Sequence, residues 1–351
     1  PSQLSDVNVT EVVSTSGAFA ALTDSGAVIC WGNQNSGGDC SAVEDALAAN
    51  VTSIHRTYGA FAALKNDGSV VTWGFPEEGG DSTAVADDIS ANVTMVYSTG
   101  KDFIGTHDVS WSAAFAALKS DGSVVCWGDA SLGGTSPSNS DLDPGVAAIY
   151  SNEVSFAAIR TDGTLLCWGS GSDGGDCSDV GGNFSTVYSS RYSFAALRTN
   201  GSVAMWNYDK DSTYGFGLVA EELSANVTNI YAGPYDFIAR KEDGSSVCWG
   251  RNSLNCTGLS DSLRNISEVY AVEGCFAAVT DVGAVVSWGY RHGEGYCSYP
   301  ADDLSDGVVS ISTNVELGTF AAVKSDGSVV VWASIPSSVS TTYHDVADSL
   351  S

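Results

Sequence analysis

Eight asparagines of this chain stand in Asn-X-Ser/Thr triplets: Asn8, Asn50, Asn92, Asn183, Asn200, Asn226, Asn255 and Asn265. The side-chain amide of such a triplet accepts N-linked glycans in a secretory pathway. Single triplets arise by chance in a chain rich in Ser and Thr, but six of these share one phase. Asn8, Asn50, Asn183, Asn226 and Asn265 each stand eleven residues before a phenylalanine, and Asn92 stands eleven before Phe103. That phase places glycans along one rim of a repeated structure. A duplicated asparagine that only caps a loop shows the same phase, so both readings stand at this level. Asn200 lies in an Asn-Gly turn pair and Asn255 lies beside Cys256, both outside the phase. Gly145 takes the asparagine's place in the fourth unit, and the eighth has no clear equivalent.

The nine cysteines carry the second chemistry. Cys30 and Cys40 are ten residues apart, as are Cys167 and Cys177. The second unit has Thr72 and Ser82 in those two places, so both cysteines are lost together, as a disulfide requires. Cys248 with Cys256 is a shifted version, and Cys275 pairs with Cys297 because Ser287 holds the usual position. Cys126 is left facing Ser136. No Cys-X-X-Cys knuckle occurs and His55, His107, His292 and His344 are scattered, which argues against zinc. Disulfides and glycan acceptors together imply an oxidising, extracellular compartment and a secreted protein.

No motif of catalysis accompanies them. A Gly-X-Ser-X-Gly elbow, a phosphate loop and His-Glu-X-X-His are all missing. No enzyme, metal or cofactor is therefore expected. With 14 Lys+Arg against 42 Asp+Glu the formal charge is −28, a field that repels phosphate backbones and acidic membrane surfaces. Nucleic acid is excluded as a partner. No apolar run approaches the ~18 residues of a membrane span. The chain opens at Pro1 in a polar stretch, so a secreted protein of this sequence reads as a mature or partial chain.

The elements that position these groups recur eight times. Phe19, Phe61, Phe115, Phe156, Phe194, Phe237, Phe276 and Phe320 are each followed twelve residues later by Trp31, Trp73, Trp127, Trp168, Trp206, Trp249, Trp288 and Trp332. A period of about 40 residues marks a repeat architecture. One unit reads as strands over Val227 to Tyr231, Phe237 to Arg240 and Ser246 to Trp249, with Asp243-Gly244 as the turn. Asp-Gly in a two-residue loop predicts a type I′ hairpin. Glu221 to Ser224 and Asp302 to Ser305 are expected to form single helical turns. The phased tryptophans read as core rather than as sugar platforms. Three-stranded sheets that cannot bury both faces alone stack as a β-propeller, here one all-β domain over residues 1–351 with eight blades. The gap from Trp73 to Phe115 is 42 residues against 26 to 32 elsewhere, which puts an insertion at about 101–112 with Lys101, His107 and Trp111 as a candidate binding loop.

Phe-Ala-Ala-Leu-Lys-Ser-Asp-Gly (Phe115 to Gly122), Ser-Val-Val-Cys-Trp-Gly (Ser123 to Gly128) and Gly-Gly-Asp-Cys (Gly37 to Cys40, Gly174 to Cys177) resemble the regulator of chromosome condensation repeat. The short unit is similar to the compact bacterial branch of that family, which includes a propeller-type β-lactamase inhibitory protein. The resemblance implies seven blades, whereas this chain shows eight cassettes, so seven blades plus an appended unit is the alternative. The nuclear members' nucleotide-exchange activity is not carried over, because the chain has no basic tail. The expectation is a non-enzymatic, N-glycosylated extracellular interaction or structural unit, with a protein partner or self-association into a coat or filament. The alternative is a carbohydrate- or protein-binding module, lectin- or inhibitor-like, that uses its loop face. A hydrolase or lyase with its site in the propeller channel is a third.

Overall fold

A computed structural model describes residues 7–100, 113–207, 216–250, 262–272, 275–289, 302–314 and 318–333. The insertion at 101–112 lies outside them. The described chain is almost all β: eight three-stranded antiparallel sheets, each with its strands in sequence order. It divides into two compact units, residues 1–187 with 206–208, and residues 188–205 with 209–351.

The first unit holds four complete sheets. Their strands are Val9–Ser14, Ala18–Thr23 and Val28–Gly32; Val51–Arg56, Ala60–Lys65 and Val70–Gly74; Val93–Ser98, Ala114–Lys119 and Val124–Gly128; and Val146–Ser151, Ser155–Arg160 and Leu165–Gly169. The boundary falls within the fifth sheet (Phe184–Ser189, Phe194–Arg198, Val203–Trp206). The second unit holds the sixth to eighth sheets: Val227–Ala232, Asp236–Lys241 and Ser246–Gly250; Ile266–Val272, Cys275–Thr280 and Val285–Gly289; and Val308–Asn314, Thr319–Lys324 and Val329–Ala333.

One packing rule repeats in both units. Side chains alternate across a strand, so each sheet has two faces. In the first sheet Ala18, Ala20 and Leu22 form a small-residue face, which packs on Ile54, Phe61, Ala63 and Trp73 of the second. Ala60, Ala62 and Leu64 pack likewise on Val96, Phe115, Ala117 and Trp127. In the second unit Cys275, Ala277 and Val279 pack on Ile311, Phe320, Ala322 and Trp332. Phe and Trp of one cassette are directly paired across strands, as Phe61 with Trp73, and their rings stack at 5.1 Å. The indole N–H of Trp73 donates to the Gly37 carbonyl at 3.0 Å, so this indole carries no orphaned donor.

The turns differ from the type I′ expectation. Lys65 N–H donates to the Ser69 carbonyl and Gly68 N–H to the Lys65 carbonyl, which leaves three loop residues, Asn66, Asp67 and Gly68. Only Gly68 has positive φ, at 78°. This is a β-turn closed by a left-handed glycine, the three-residue hairpin, so Asp67 need not enter the left-handed region. Its carboxylate instead accepts from the Ser69 N–H at 2.9 Å and hydroxyl at 2.7 Å. The expected helical turns are short: four-residue helices form at Glu44–Leu47 and Asn139–Leu142, while 221–224 and 302–305 are hydrogen-bonded or bent turns.

Candidate interaction surfaces

Each sheet has two unlike ends. At the turn end, the hairpin loop lies beside the start of the first strand: Asn66 N–H donates to the Asn50 carbonyl. Here stand Asn8, Asn50, Asn92, Asn183, Asn226 and Asn265, all exposed. Asn50, Asn92, Asn226 and Asn265 have φ of 69°, 64°, 63° and 56°. Among side-chain-bearing residues asparagine tolerates that region best. Gly145 and Gly307 adopt φ of 108° and 70° at the same step, so the eighth unit does have its equivalent, Gly307, hidden because glycine replaces asparagine. Backbone geometry thus accounts for the letter at four of the six positions; Asn8 and Asn183 lie outside the left-handed region.

The third residue of the Asn8, Asn50, Asn92, Asn226 and Asn265 triplets sits at a register break. The pairing of Val51 with Lys65 and Ser53 with Leu64 skips Thr52, a β-bulge. Thr52 Oγ1 donates to the Leu64 carbonyl at 3.1 Å, and Thr10, Thr94, Thr228 and Ser267 do the same to Leu22, Leu118, Arg240 and Val279. The hydroxyl is not required for the bulge. The same break forms over Ala147 in the fourth sheet and Val309 in the eighth. In those two sheets the asparagine and the hydroxyl are lost together.

Asn200 is a different case. It occupies the place of Asp67 and its Oδ1 accepts from the Ser202 N–H at 3.0 Å and hydroxyl at 2.8 Å. Turn geometry explains its triplet in full. Asn255 lies outside the described residues.

At the opposite end, the loops between first and second strands are joined to one another. Ser16 N–H donates to Tyr58 O and Gly100 N–H to Glu153 O in the first unit, and Arg191 N–H to Pro234 O in the second, at 2.8 to 2.9 Å. Gly100 and Ala113, which flank the insertion, are at this end; Lys101, His107 and Trp111 lie outside the described residues. In the second unit the Arg191 guanidinium lies 5.3 Å from the Tyr235 ring centre and donates to its hydroxyl at 2.7 Å. Tyr192 stands 6.3 Å from the same ring. This half-buried basic-aromatic cluster has no phased sequence signature, because each member comes from a variable loop.

Glu78 is a buried carboxyl at the loop end of the first unit. It is 2% exposed, and burial raises its pKa, opposed by the Gly59 N–H and helped by Glu77. Its Oε2 has no hydrogen-bond partner. No group of three His, Cys, Asp or Glu among the described residues is placed to hold a metal ion. No helix among them is long and apolar enough to cross a membrane.

The cysteines form clasps from the third strand to the segment after it. Cys30–Cys40 and Cys167–Cys177 are disulfides, with Cα atoms 6.0 and 5.7 Å apart. In the second sheet Thr72 and Ser82 replace the bond with a hydroxyl contact of 2.8 Å. Cys248 and Cys275 are also disulfide-bonded; Cys256 and Cys297 lie outside the described residues. Cys126 is a buried free thiol, and burial pushes its pKa up to about 12.

Basic side chains are spent on the fold. Lys65, Lys119, Lys241 and Lys324 donate through Nζ to Ala46, Asp88, Glu222 and Asp303 carbonyls, and Arg160 through Nε to Asp141. They cap the carbonyl ends of the short turns before the first strands of the second, third, fourth, sixth and eighth sheets.

The repeated cassette and eight three-stranded blades define a β-propeller chain like the regulator of chromosome condensation. No family model and no curated protein matches the sequence. Among solved structures it is similar to the CRINKLY WD40 ectodomain of the Arabidopsis thaliana receptor kinase ACR4, with 15% identity, 83% of this chain and 99% of that one covered, and a TM-score of 0.42. The entire ectodomain of the Physcomitrella patens receptor kinase CR4 gives 16%, 83%, 76% and 0.45. Prp20p of Saccharomyces cerevisiae gives 14%, 93%, 82% and 0.39. These are likenesses of fold alone.

Proposed function

We propose that this chain is a secreted, N-glycosylated, non-enzymatic interaction propeller whose glycans stand at the turn end and whose partner contacts use the sugar-poor surfaces, with assembly into a coat or filament as its structural role. The observation that carries the reading is the coupled loss at Gly145/Ala147 and Gly307/Val309. A left-handed step selects Asn or Gly alone, and a bulge accepts Thr, Ala or Val alone. Neither demands that Asn and the hydroxyl be kept or lost as a pair, whereas a glycan acceptor does. The disulfide clasps fit the same compartment.

Peptide mapping of the protein from its native source, before and after peptide-N-glycosidase in heavy-oxygen water, tests this. Labelled Asp at Asn8, Asn50, Asn92, Asn183, Asn226 and Asn265 is expected, with Asn200 bare. Unmodified asparagine at all six sinks the secretory reading. The Arg191, Tyr192 and Tyr235 cluster favours a second reading, a ligand-binding module on the loop end, for which aromatic faces and a fixed cation suit a sugar or an acidic peptide.

A further inference from the structure

One strand start in the second unit departs from the turn-end pattern in three residues at once. Val282 stands at the tip of the seventh sheet's hairpin and is 75% exposed. That place holds Asp in five other sheets, Asn200 in the fifth sheet and Ser25 in the first, all of them exposed. Val309 is 66% exposed at the bulge of the eighth sheet, a place that holds Thr or Ser in six sheets and Ala147 in the fourth. Gly307 replaces the asparagine between them. The fold asks for neither valine. Ala284 N–H donates to Thr280 Oγ1 at 3.1 Å, so the turn is held without the side chain at its tip. A bulge forms equally over alanine, and neither valine adds to the core.

The valines belong to neighbouring segments. Val308 N–H donates to the Gly283 carbonyl at 2.9 Å, which lays the Val282 hairpin against the strand that Val309 continues. The eighth sheet's own hairpin lies beside the same glycine, where Ser325 N–H donates to the Gly307 carbonyl at 2.8 Å. The result is a small apolar seat that contains no acceptor asparagine. Its rim is acidic: Asp281, Asp306 and Asp326 are exposed on the two hairpins and the strand start. Lys324, which adjoins them, lies 3.6 Å from Asp306 and donates to the Asp303 carbonyl. Resting on the interaction role proposed above, we propose that this seat docks a cationic segment of a partner protein. One apolar side chain of that segment lies on Val282 and Val309, between lysines or arginines that face Asp281, Asp306 and Asp326. A second copy of this chain is a poor occupant, because each copy has a net charge of −28 and brings the same acidic rim.

Isothermal titration of the full chain at about 0.15 M salt with two synthetic peptides tests the seat. One peptide alternates lysine with leucine, the other lysine with serine. The leucine peptide is expected to bind about 10-fold more tightly than the serine peptide, the factor that burying one apolar side chain supplies. Val282→Asp and Val309→Thr are each expected to remove about that factor for the leucine peptide. Asp fills the first place in five other sheets and Thr fills the second in four, so both variants are expected to fold, and circular dichroism checks this. Val282→Asp separates the two forces, because it adds a negative charge and attraction by acidity alone would then tighten both peptides. Leucine-peptide binding that is tightened or unchanged in the variants overturns the seat, and so does equal binding of both peptides to the wild type. Light scattering reads the other occupant: wild-type oligomers that Val282→Asp dissolves would give the seat to a second copy and overturn the cationic partner. Failure here would leave the interaction role to the loop end, and glycosylation is read separately by peptide mapping.

Discussion

The same ten-residue clasp is built three ways in this chain, and the comparison ranks their physics at the level of single residues. Cys30–Cys40 is covalent, Thr72 with Ser82 is a contact between two side-chain hydroxyls, and Cys126 with Ser136 joins main chain to side chain: the Cys126 backbone N–H donates to Ser136 Oγ at 2.8 Å. Ser136→Cys is expected to close a further disulfide of the Cys30–Cys40 kind and to stabilise the fold by about 2–3 kcal/mol. Loss of the Cys126 thiol in a denaturing titration, with a higher melting temperature, checks it; a retained thiol shows that the geometry differs from the other two. The turn aspartates make a second case. Side-chain and then backbone hydrogen bonds from Ser69 lower the Asp67 pKa, and Ser123, Thr164, Ser245 and Ser328 do the same for Asp121, Asp162, Asp243 and Asp326. A depressed folded pKa means stability that is complete above the unfolded value of about 3.9 and is lost as pH falls through the folded one. Asp121→Asn keeps the acceptor, as Asn200 does naturally, and is expected to lose only the acid-dependent part, read as a smaller drop in melting temperature between pH 5 and pH 2 on scales set by those pKa values. Glu78 has the opposite sign. Its raised pKa means stability present below the unfolded value of about 4.3 and lost as pH rises through the folded one. Glu78→Gln is expected to melt higher at neutral pH and to converge with the wild type in acid; equal melting at both would remove the buried-charge account.

At the scale of elements, the start of each first strand combines a left-handed step with a bulge, and the two requirements are separable. Asn50→Gly is expected to leave stability nearly unchanged, because Gly145 and Gly307 already serve there. Asn50→Val is expected to cost about 1–2 kcal/mol, since a β-branched side chain resists positive φ. Urea unfolding distinguishes them, and equal costs would show that the asparagine side chain matters more than its backbone. The strand pattern and its period are legible in the sequence because packing repeats the same letters at the same faces. The hairpin type is not, since Asp-Gly suits both a two-residue and a three-residue loop, and one residue of register decides between them. Gly307 is equally illegible, because what repeats there is a backbone angle rather than a residue. The Arg191–Tyr235 contact joins loops 44 residues apart with no periodic cue.

For the chain as a whole, charge is the dominant unbalanced quantity. The 42 acidic residues outnumber 14 basic ones, and five of the basic groups are bound to backbone carbonyls, where they hold turns, with Lys324 also 3.6 Å from the Asp306 carboxylate. Self-repulsion of this kind destabilises the compact state over distances that salt controls, from about 30 Å of screening length at 0.01 M to about 3 Å at 1 M. Melting temperature at pH 7 is therefore expected to rise steadily with sodium chloride across that range. Lowering pH toward the sequence pI of about 4.1 removes the same repulsion, until the turn aspartates begin to protonate and their hydrogen bonds weaken. The two effects cross, which places the low-salt stability maximum near pH 5 on ordinary carboxylate pKa values. High salt is expected to abolish the rise on the neutral side of that maximum while leaving the acid fall intact, because hydrogen-bonded turn carboxylates are lost by protonation and not by repulsion. A grid of melting curves over pH and salt reads both. A profile that shifts as one curve, without the neutral side flattening first, would mean that the surface charge is compensated locally and that the acidity has no bearing on how copies of this chain approach one another.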